Sequence, residues 1–190
     1  MNVMELHRRA VENFAQKAQQ VADDQWSQPT PCTEWDVRAL VNHVVGEEWW
    51  VRPLAEGKTI EEVGSSFDGD LLGDNPSAAV AAASAEAADA MDAHMPEHPM
   101  VHLSFGDTPI DEYAMQMLAD HLVHGWDLAA AVGMDRTMDP ELVSVVQAWF
   151  APQEEAWRAA GAIGPRVDVE GDDPQSELLS VYGRNPNWQA

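Results

Sequence analysis

Asp120 and His124 are the residues of this 190-residue sequence whose types and spacing most directly suggest chemistry. They lie four positions apart in a segment with helical periodicity, residues 110–132, so a helix separates them by only about 40°. The same arithmetic places Tyr113 and Leu128 beside them, within the apolar stripe. An ionised carboxylate buried in that stripe needs a cation. The pair is therefore typical of a divalent-metal site, although a simple hydrogen bond between the two side chains is the other interpretation.

His43 is the third candidate ligand. It lies on the same face of a predicted second helix as Trp50 and Leu54, again as a polar group among apolar ones. Facing helices of a bundle commonly build metal sites from inward side chains of this kind. With Asp120 and His124 it would supply three protein ligands and leave positions open for water or substrate, as in catalytic sites. A core histidine with an ordinary hydrogen-bond partner is the alternative for His43.

Glu47 and His121 are the candidates for proton transfer. Glu47 follows His43 by one helical turn, where it could be a general base, a further ligand or an exposed helix glutamate. His121 borders the same stripe as Asp120 and could instead support the ligands or lie on the surface. Cys32 precedes the second helix, but neighbouring acidic residues disfavour a thiolate, so we expect it to behave as a buried small apolar residue.

Helices must position these side chains, and the sequence predicts an all-α fold. We expect one domain over residues 1–190, with a four-helix bundle at about 4–157, long loops and an irregular segment, 158–190, packed on it. Alternating residues near 100–109 predict a short extended arm. The helix boundaries follow from caps, prolines and glycines: 4–22, then Thr33 as N-cap of a helix to about 57, Asn75-Pro76 before an Ala-rich helix, 110–132 before Gly133, Asp139-Pro140 before a helix to about Trp157, and a short helix over 174–182.

The charge of the chain limits its partners. There are 33 acidic and 10 basic residues, a formal net charge of −23, which would repel nucleic-acid phosphates and anionic lipid headgroups. One cysteine cannot form an internal disulfide, and the charged N-terminal stretch does not resemble a signal peptide. Apolar stretches end well before the roughly 18 residues that a membrane span needs. We therefore expect a cytoplasmic protein that binds neither nucleic acid nor membrane.

Two blocks of sequence resemble the mycothiol-dependent maleylpyruvate isomerase N-terminal family, which belongs to the DinB-like four-helix-bundle metalloenzymes. The first is Thr30-Pro31-Cys32-Thr33-Glu34-Trp35-Asp36-Val37-Arg38-Ala39-Leu40-Val41-Asn42-His43. The second is Asp120-His121-Leu122-Val123-His124-Gly125-Trp126-Asp127-Leu128-Ala129. They occur in the order that the family shows, and the resemblance extends from the first helix to about Phe150.

The resemblance implies that His43, Asp120 and His124 bind a divalent metal, with zinc or nickel expected. The acidic ligand is a Glu in the isomerases, whereas Asp120 matches a branch described as metal-binding proteins, and the residues after 160 are few for the isomerases' C-terminal domain. The resemblance implies a low-molecular-weight thiol such as mycothiol as co-substrate, acting on a small electrophile by thiol transfer or isomerisation. A metal-stabilised binding or stress-response module without turnover is the alternative, and the chain could also pair as a homodimer.

Overall fold

The computed structural model describes residues 2–190, and helices dominate it. Four of them form the bundle: α1 (Val3–Ala18), α2 (Val37–Ala55), α4 (Pro76–His94) and α5 (Ile110–Val132). The mainly helical fold expected from the sequence is confirmed. The smaller elements are α3 (Ile60–Val63), a 3₁₀ turn (Met95–Glu97), β1 (Met100–Leu103), β2 (Gly106–Pro109), α6 (Pro140–Phe150), α7 (Glu154–Ala159) and α8 (Pro174–Val181).

The four long helices pack in a ring in which α1 and α2 each contact both α4 and α5. Their inward stripes meet in a continuous core, to which α1 contributes Phe14, α2 Val41, α4 Val80 and α5 Leu128, all fully buried. Burying a side chain of this size contributes about 1.5–3 kcal/mol. This packing fixes which side of α2 and of α5 faces the interior, and hence which polar residues are brought together.

Helix α2 begins three residues later than the sequence predicted, and the expectation that Thr33 is its N-cap is wrong. Asp36 is the cap: its backbone is extended, and its carboxylate accepts a hydrogen bond from the Ala39 amide at 2.8 Å. The preceding loop is closed by Thr30, whose hydroxyl donates to the Trp35 carbonyl at 2.9 Å. Residues 30–35 therefore form an ordered loop in front of α2 instead of its first turn.

The helix predicted from Asp139 to Trp157 is two helices, α6 and α7. Pro152 lies between them, and a proline lacks the amide hydrogen and clashes with the carbonyl four residues earlier, so α6 cannot continue through it. The extended arm predicted near 100–109 is an antiparallel hairpin, with Met100 opposite Pro109 and Leu103 opposite Gly106.

The chain after α7 returns to the bundle. Helix α8 packs on α6, and Arg136 donates a hydrogen bond to the Trp188 carbonyl at 2.7 Å, which holds the last residues against the end of α5. Tyr182 and Arg184 line a cavity together with Asp120 and His124, so the C-terminal segment lies beside that face of α5. None of the described helices combines the length and apolarity that crossing a membrane requires.

Candidate metal centre

His43 of α2 and Asp120 and His124 of α5 converge in the structure. One donor atom from each lies within 4.8 Å of the other two, and among the described residues this is the one group of three such side chains compact enough for a metal ion. Asp120 is central: Oδ1 is 3.4 Å from Nε2 of His124, and Oδ2 is 3.8 Å from Nε2 of His43. The two imidazole rings are 5.2 Å apart and nearly perpendicular.

The environment of these side chains fits a divalent cation. Oδ2 of Asp120 is buried and has no hydrogen-bond partner within residues 2–190, and leaving a charged oxygen unpaired in this way is costly. The side chains of His43 and Asp120 are each 30% exposed, which leaves the group open on one side. Two imidazole nitrogens and one carboxylate form a donor set that suits zinc and nickel. The sequence-predicted ligands are therefore brought together in an arrangement that could hold such an ion.

The charges within the group stabilise one another. Burial would raise the pKa of Asp120, but His124 and His43 outweigh it and hold that pKa well below its ordinary value. Burial would likewise lower the pKa of His124, yet Asp120 and Asp127 reverse the effect and raise it to about 9. Without a metal, His124 is therefore protonated at neutral pH. That proton must leave before Nε2 can bind a cation.

Asp127 fixes the orientation of His124. Its side chain is fully buried, and its Oδ2 is 3.0 Å from Nδ1 of His124, which leaves Nε2 of the same ring facing Asp120. Arg184, from the C-terminal segment, donates to Oδ2 of Asp127 at 2.8 Å through Nη2. Although burial acts to raise it, the pKa of Asp127 is lowered by His124 and Arg184. A buried carboxylate on the distal nitrogen of a ligating histidine sets its tautomer and its aim.

The loop before α2 covers the group. The indole of Trp35 lies 4.5 Å from the ring of His43 and 5.6 Å from that of His124, measured between centroids. Cys32 of the same loop is half-buried, and its Sγ is 3.4 Å from Nη2 of Arg184. Burial raises the pKa of the Cys32 thiol despite that arginine. The raised pKa disfavours the thiolate, as the sequence predicted, but Cys32 is half-buried and not fully buried.

Glu47 lies beside the candidate centre, one turn after His43. It is half-buried and lines a cavity together with Trp50 and Tyr113. Burial raises the pKa of Glu47, and the nearby Asp120 adds to the rise, while the surrounding histidines oppose it. A carboxylate with a raised pKa is a better proton acceptor than an exposed glutamate, and the interpretation of Glu47 as a solvated surface residue does not hold.

His121 lies in the core of the bundle, so the surface interpretation is wrong. Its Nε2 is 3.0 Å from Oε1 of the fully buried Glu48, and its Nδ1 is 2.7 Å from the Met117 carbonyl. Ser84 of α4 also donates to that Glu48 oxygen, at 2.8 Å. Both ring nitrogens of His121 are therefore engaged, and a proton-transfer role for it stays a prediction.

Sequence reasoning missed the contributions of Asp127, Arg184 and Trp35. Asp127 was detectable in principle, because it follows His124 by three positions and so faces the same side of α5. Trp35 lies in the loop one residue before the N-cap of α2, and a loop position does not predict where an indole side chain points. Arg184 is 57 residues from Asp127, and no local pattern could pair them.

The fold and the site together define a helical-bundle protein with a His-Asp-His centre between its second and fourth long helices. The chain matches the mycothiol maleylpyruvate isomerase N-terminal domain over residues 7–129, and it belongs to this family. That match covers all three candidate ligands but ends before the C-terminal segment that supplies Arg184.

Two proteins of Mycobacterium tuberculosis are similar to the chain over most of its length. They are the uncharacterized protein MT0763 of strain CDC 1551 and the uncharacterized protein Rv0738 of strain H37Rv. Each is 32% identical over 162 residues, a region that covers 80% of this chain and 82% of the relative. No solved structure is a significant match.

Proposed function

We propose that this protein is a metal-dependent enzyme of thiol-linked chemistry. It binds a divalent ion, zinc or nickel, through His43, Asp120 and His124, and it uses a low-molecular-weight thiol of the mycothiol type to act on a small electrophile. The observation that carries the proposal is the convergence of three donor atoms within 4.8 Å around an Asp120 oxygen that lacks a hydrogen-bond partner among the described residues. Membership of the family supports the choice of thiol.

A divalent ion at this position would favour the thiolate form of a thiol that reaches it. The protein supplies the remaining steps. Glu47, with its raised pKa, accepts the proton that leaves the thiol sulfur. The sulfur then forms a bond to the electrophilic carbon. In thiol transfer a leaving group departs with its electron pair, and in isomerisation the same sulfur is expelled again and the thiol is regenerated.

The roles of the neighbouring side chains follow from their contacts. Asp127 keeps Nε2 of His124 directed at the centre, and the indole of Trp35 shields both imidazoles from water on the side of the loop. Exclusion of water strengthens the electrostatic interactions within the site. The opening beside Asp120 leaves room for a thiol and an electrophile to approach.

The alternative is a metal-stabilised binding or stress-response module without turnover. A structural zinc site is normally closed by a fourth side chain. The 30% exposure of both His43 and Asp120, and the cavity that Asp120 and His124 line, favour an open coordination position instead. We therefore prefer the interpretation as an enzyme over the interpretation as a non-catalytic binding module.

The test is metal analysis of His43→Ala and His124→Ala variants after equilibration with zinc or nickel. We expect both to lose the stoichiometric metal of the wild type. His98→Ala is the matched control, because His98 is 72% exposed and pairs only with Asp111. Full metal content in both site variants would remove the proposal. Bound metal without transfer of a low-molecular-weight thiol to a generic electrophile would favour the binding module.

A further inference from the structure

Three neighbouring cavities share Gln116 as a lining residue, and the row that they form starts at the candidate metal centre. The inner cavity is lined by Asp120 and His124, and a second one by Glu47. The outer and largest cavity, of about 460 Å³, reaches the hairpin tip and α7. Glu112, Gln116, Asp120 and His124 follow one another at intervals of four, so one stripe of α5 forms the floor of the whole row. We call this row of cavities the α5 cleft.

The outer cavity of the α5 cleft is mostly apolar. Its walls are the rings of Phe105 and Trp157 with several small side chains, Pro109, Ala156, Ala160 and Ala162. The two titratable residues that line it are both acidic. Asp107 pairs with the imidazole of His102 at 2.7 Å, and Glu112 accepts a hydrogen bond from the neutral indole of Trp149 at 2.9 Å. None of its described lining residues is a lysine or an arginine, so the charge of Glu112 has no counterion there.

The cationic side chains at the inner end of the cleft are already paired, and the imidazolium of His124 lies between Asp120 and Asp127. Arg184 is the one arginine that lines it, and this residue is already committed to the buried Asp127, with further bonds to the Tyr182 carbonyl and the Cys32 sulfur. Glu47 adds a carboxylate near the same place. A negatively charged molecule would also approach a chain with a formal net charge of −23.

We propose that the second substrate lies in the α5 cleft and is an uncharged or positively charged molecule with an apolar, preferably aromatic, body. Its reactive carbon is at the inner end, beside Asp120 and His124, and its body contacts Phe105 and Trp157. A carboxylate on that body is disfavoured, which separates this substrate class from a dicarboxylate such as maleylpyruvate. The inference rests on the proposed function only for the reaction at the inner end; the preference for an uncharged body is a property of the cleft.

The experiment compares two unreactive probes of nearly equal shape, methyl 3,5-dinitrobenzoate and the 3,5-dinitrobenzoate anion, by calorimetric titration of the full chain with and without zinc. We expect the ester to bind at least about fivefold more tightly, the factor that corresponds to one like-charge contact at about 4 Å in water. Glu112→Gln keeps an acceptor for Trp149 and should reduce this preference. Glu170→Gln, an exposed acid that lines none of the three cavities, should leave it unchanged.

A second pair of variants tests the apolar wall. Phe105 is 71% exposed at the hairpin tip, so Phe105→Ser should fold normally and weaken binding of the ester several-fold. Met100→Ser is the control, because Met100 is an exposed apolar side chain of the same hairpin that lines none of the three cavities.

Equal or tighter binding of the anion to the zinc-free chain, where its carboxylate has no metal to bind, overturns the proposal, as does an absence of binding of both probes at millimolar concentration. Metal content and thiol transfer are measured separately. Failure of the proposed function therefore shows in those measurements and leaves the ratio of the two probe affinities interpretable.

Discussion

Replacing Asp127 by Asn tests whether the buried carboxylate orients the His124 ligand. In the wild type the carboxylate accepts from Nδ1 of His124 at 3.0 Å and from Arg184 at 2.8 Å. Both donors reach the same oxygen, Oδ2, so an amide oxygen in that position could still accept from them, while the NH₂ group would face Nε of Arg184, which donates to Oδ1 at 3.2 Å in the wild type. The positive charge of Arg184, whose side chain is only 15% exposed, would also lose its partner.

Two effects of different size follow for Asp127→Asn. Breaking a buried ion pair by removing one partner costs about 3–5 kcal/mol of stability. Replacing the carboxylate that bonds the distal nitrogen of a ligating histidine lowers metal affinity by about 10–100-fold, because the uncharged amide holds the ring less strongly. The first is measured by urea unfolding of the metal-free chain, and the second by competition of zinc between the folded chain and a chelator.

The pH dependence of metal affinity distinguishes two effects of Asp127: it orients the ring of His124, and it strengthens the binding of the proton that competes with the metal. Asp127 helps to raise the pKa of His124 to about 9, so removing its charge also makes the ring easier to deprotonate. The loss of metal affinity in Asp127→Asn should therefore be larger at pH 9, where about half of the wild-type His124 has lost its proton, than at pH 6.5, where nearly all of it is protonated. An affinity within threefold of the wild type at pH 9 would refute the reasoning.

Leu178→Ala is the control for general destabilisation. Leu178 is fully buried in the hydrophobic cluster that α8 forms with α6, and its truncation should cost about 2–5 kcal/mol. This variant should lose stability by a similar amount and keep its metal affinity. If both variants lose affinity equally, the effect of Asp127 is one of stability alone.

Three further outcomes are expected. The pKa of His124 is raised from 6.5 to about 9, so its contribution to the stability of the metal-free chain is complete below pH 6.5 and is lost as the pH rises through 9. The midpoint of urea unfolding should therefore fall as the pH is raised across this range. Gly125→Ala should raise the melting temperature, since a Cβ there meets Nζ of Lys17 at an ordinary 3.6 Å and alanine is favoured over glycine within a helix by about 1 kcal/mol. Gly133→Ala should lower it, because Gly133 ends α5 with a φ of 74° that costs an alanine about 1 kcal/mol; an unchanged melting temperature would contradict this.

The parts of the fold that the sequence could predict are those set by local periodicity. The Ala-rich α4 begins after its Asn75 cap and α5 ends at Gly133, because an N-cap followed by proline and a left-handed glycine are strong local signals. At the start of α2 two residues, Thr33 and Asp36, both have the chemistry of a cap. Only the packing of the preceding loop selects Asp36, and that packing is not a local property.

In the candidate site, too, some features follow from local sequence and others depend on packing between distant segments. The spacing of Asp120 and His124 on one helix places them on one face, and a bundle brings His43 opposite, so the convergence of the three candidate ligands could be predicted. The surroundings of Glu47 and Glu48 are harder to predict from the sequence. A rotation of about 100° separates these consecutive residues of α2, and both lie near the edge of the apolar stripe. The structure buries Glu48 completely and leaves Glu47 half-buried beside the centre. Their roles depend on α4 and α5, which approach from elsewhere in the chain.

The two histidines of the second motif show why only one of them is suited to bind a metal. Each is paired with a buried carboxylate, His121 with Glu48 and His124 with Asp127. His121 uses both ring nitrogens, since the other one bonds to a backbone carbonyl, and it has no lone pair to offer. The bond of His124 to Asp127 uses Nδ1, and once the ring loses its proton the lone pair of Nε2 faces Asp120 and, beyond it, His43. The type and spacing of residues thus locate the site, whereas the hydrogen bond on the far side of each ring decides which histidine can be a ligand.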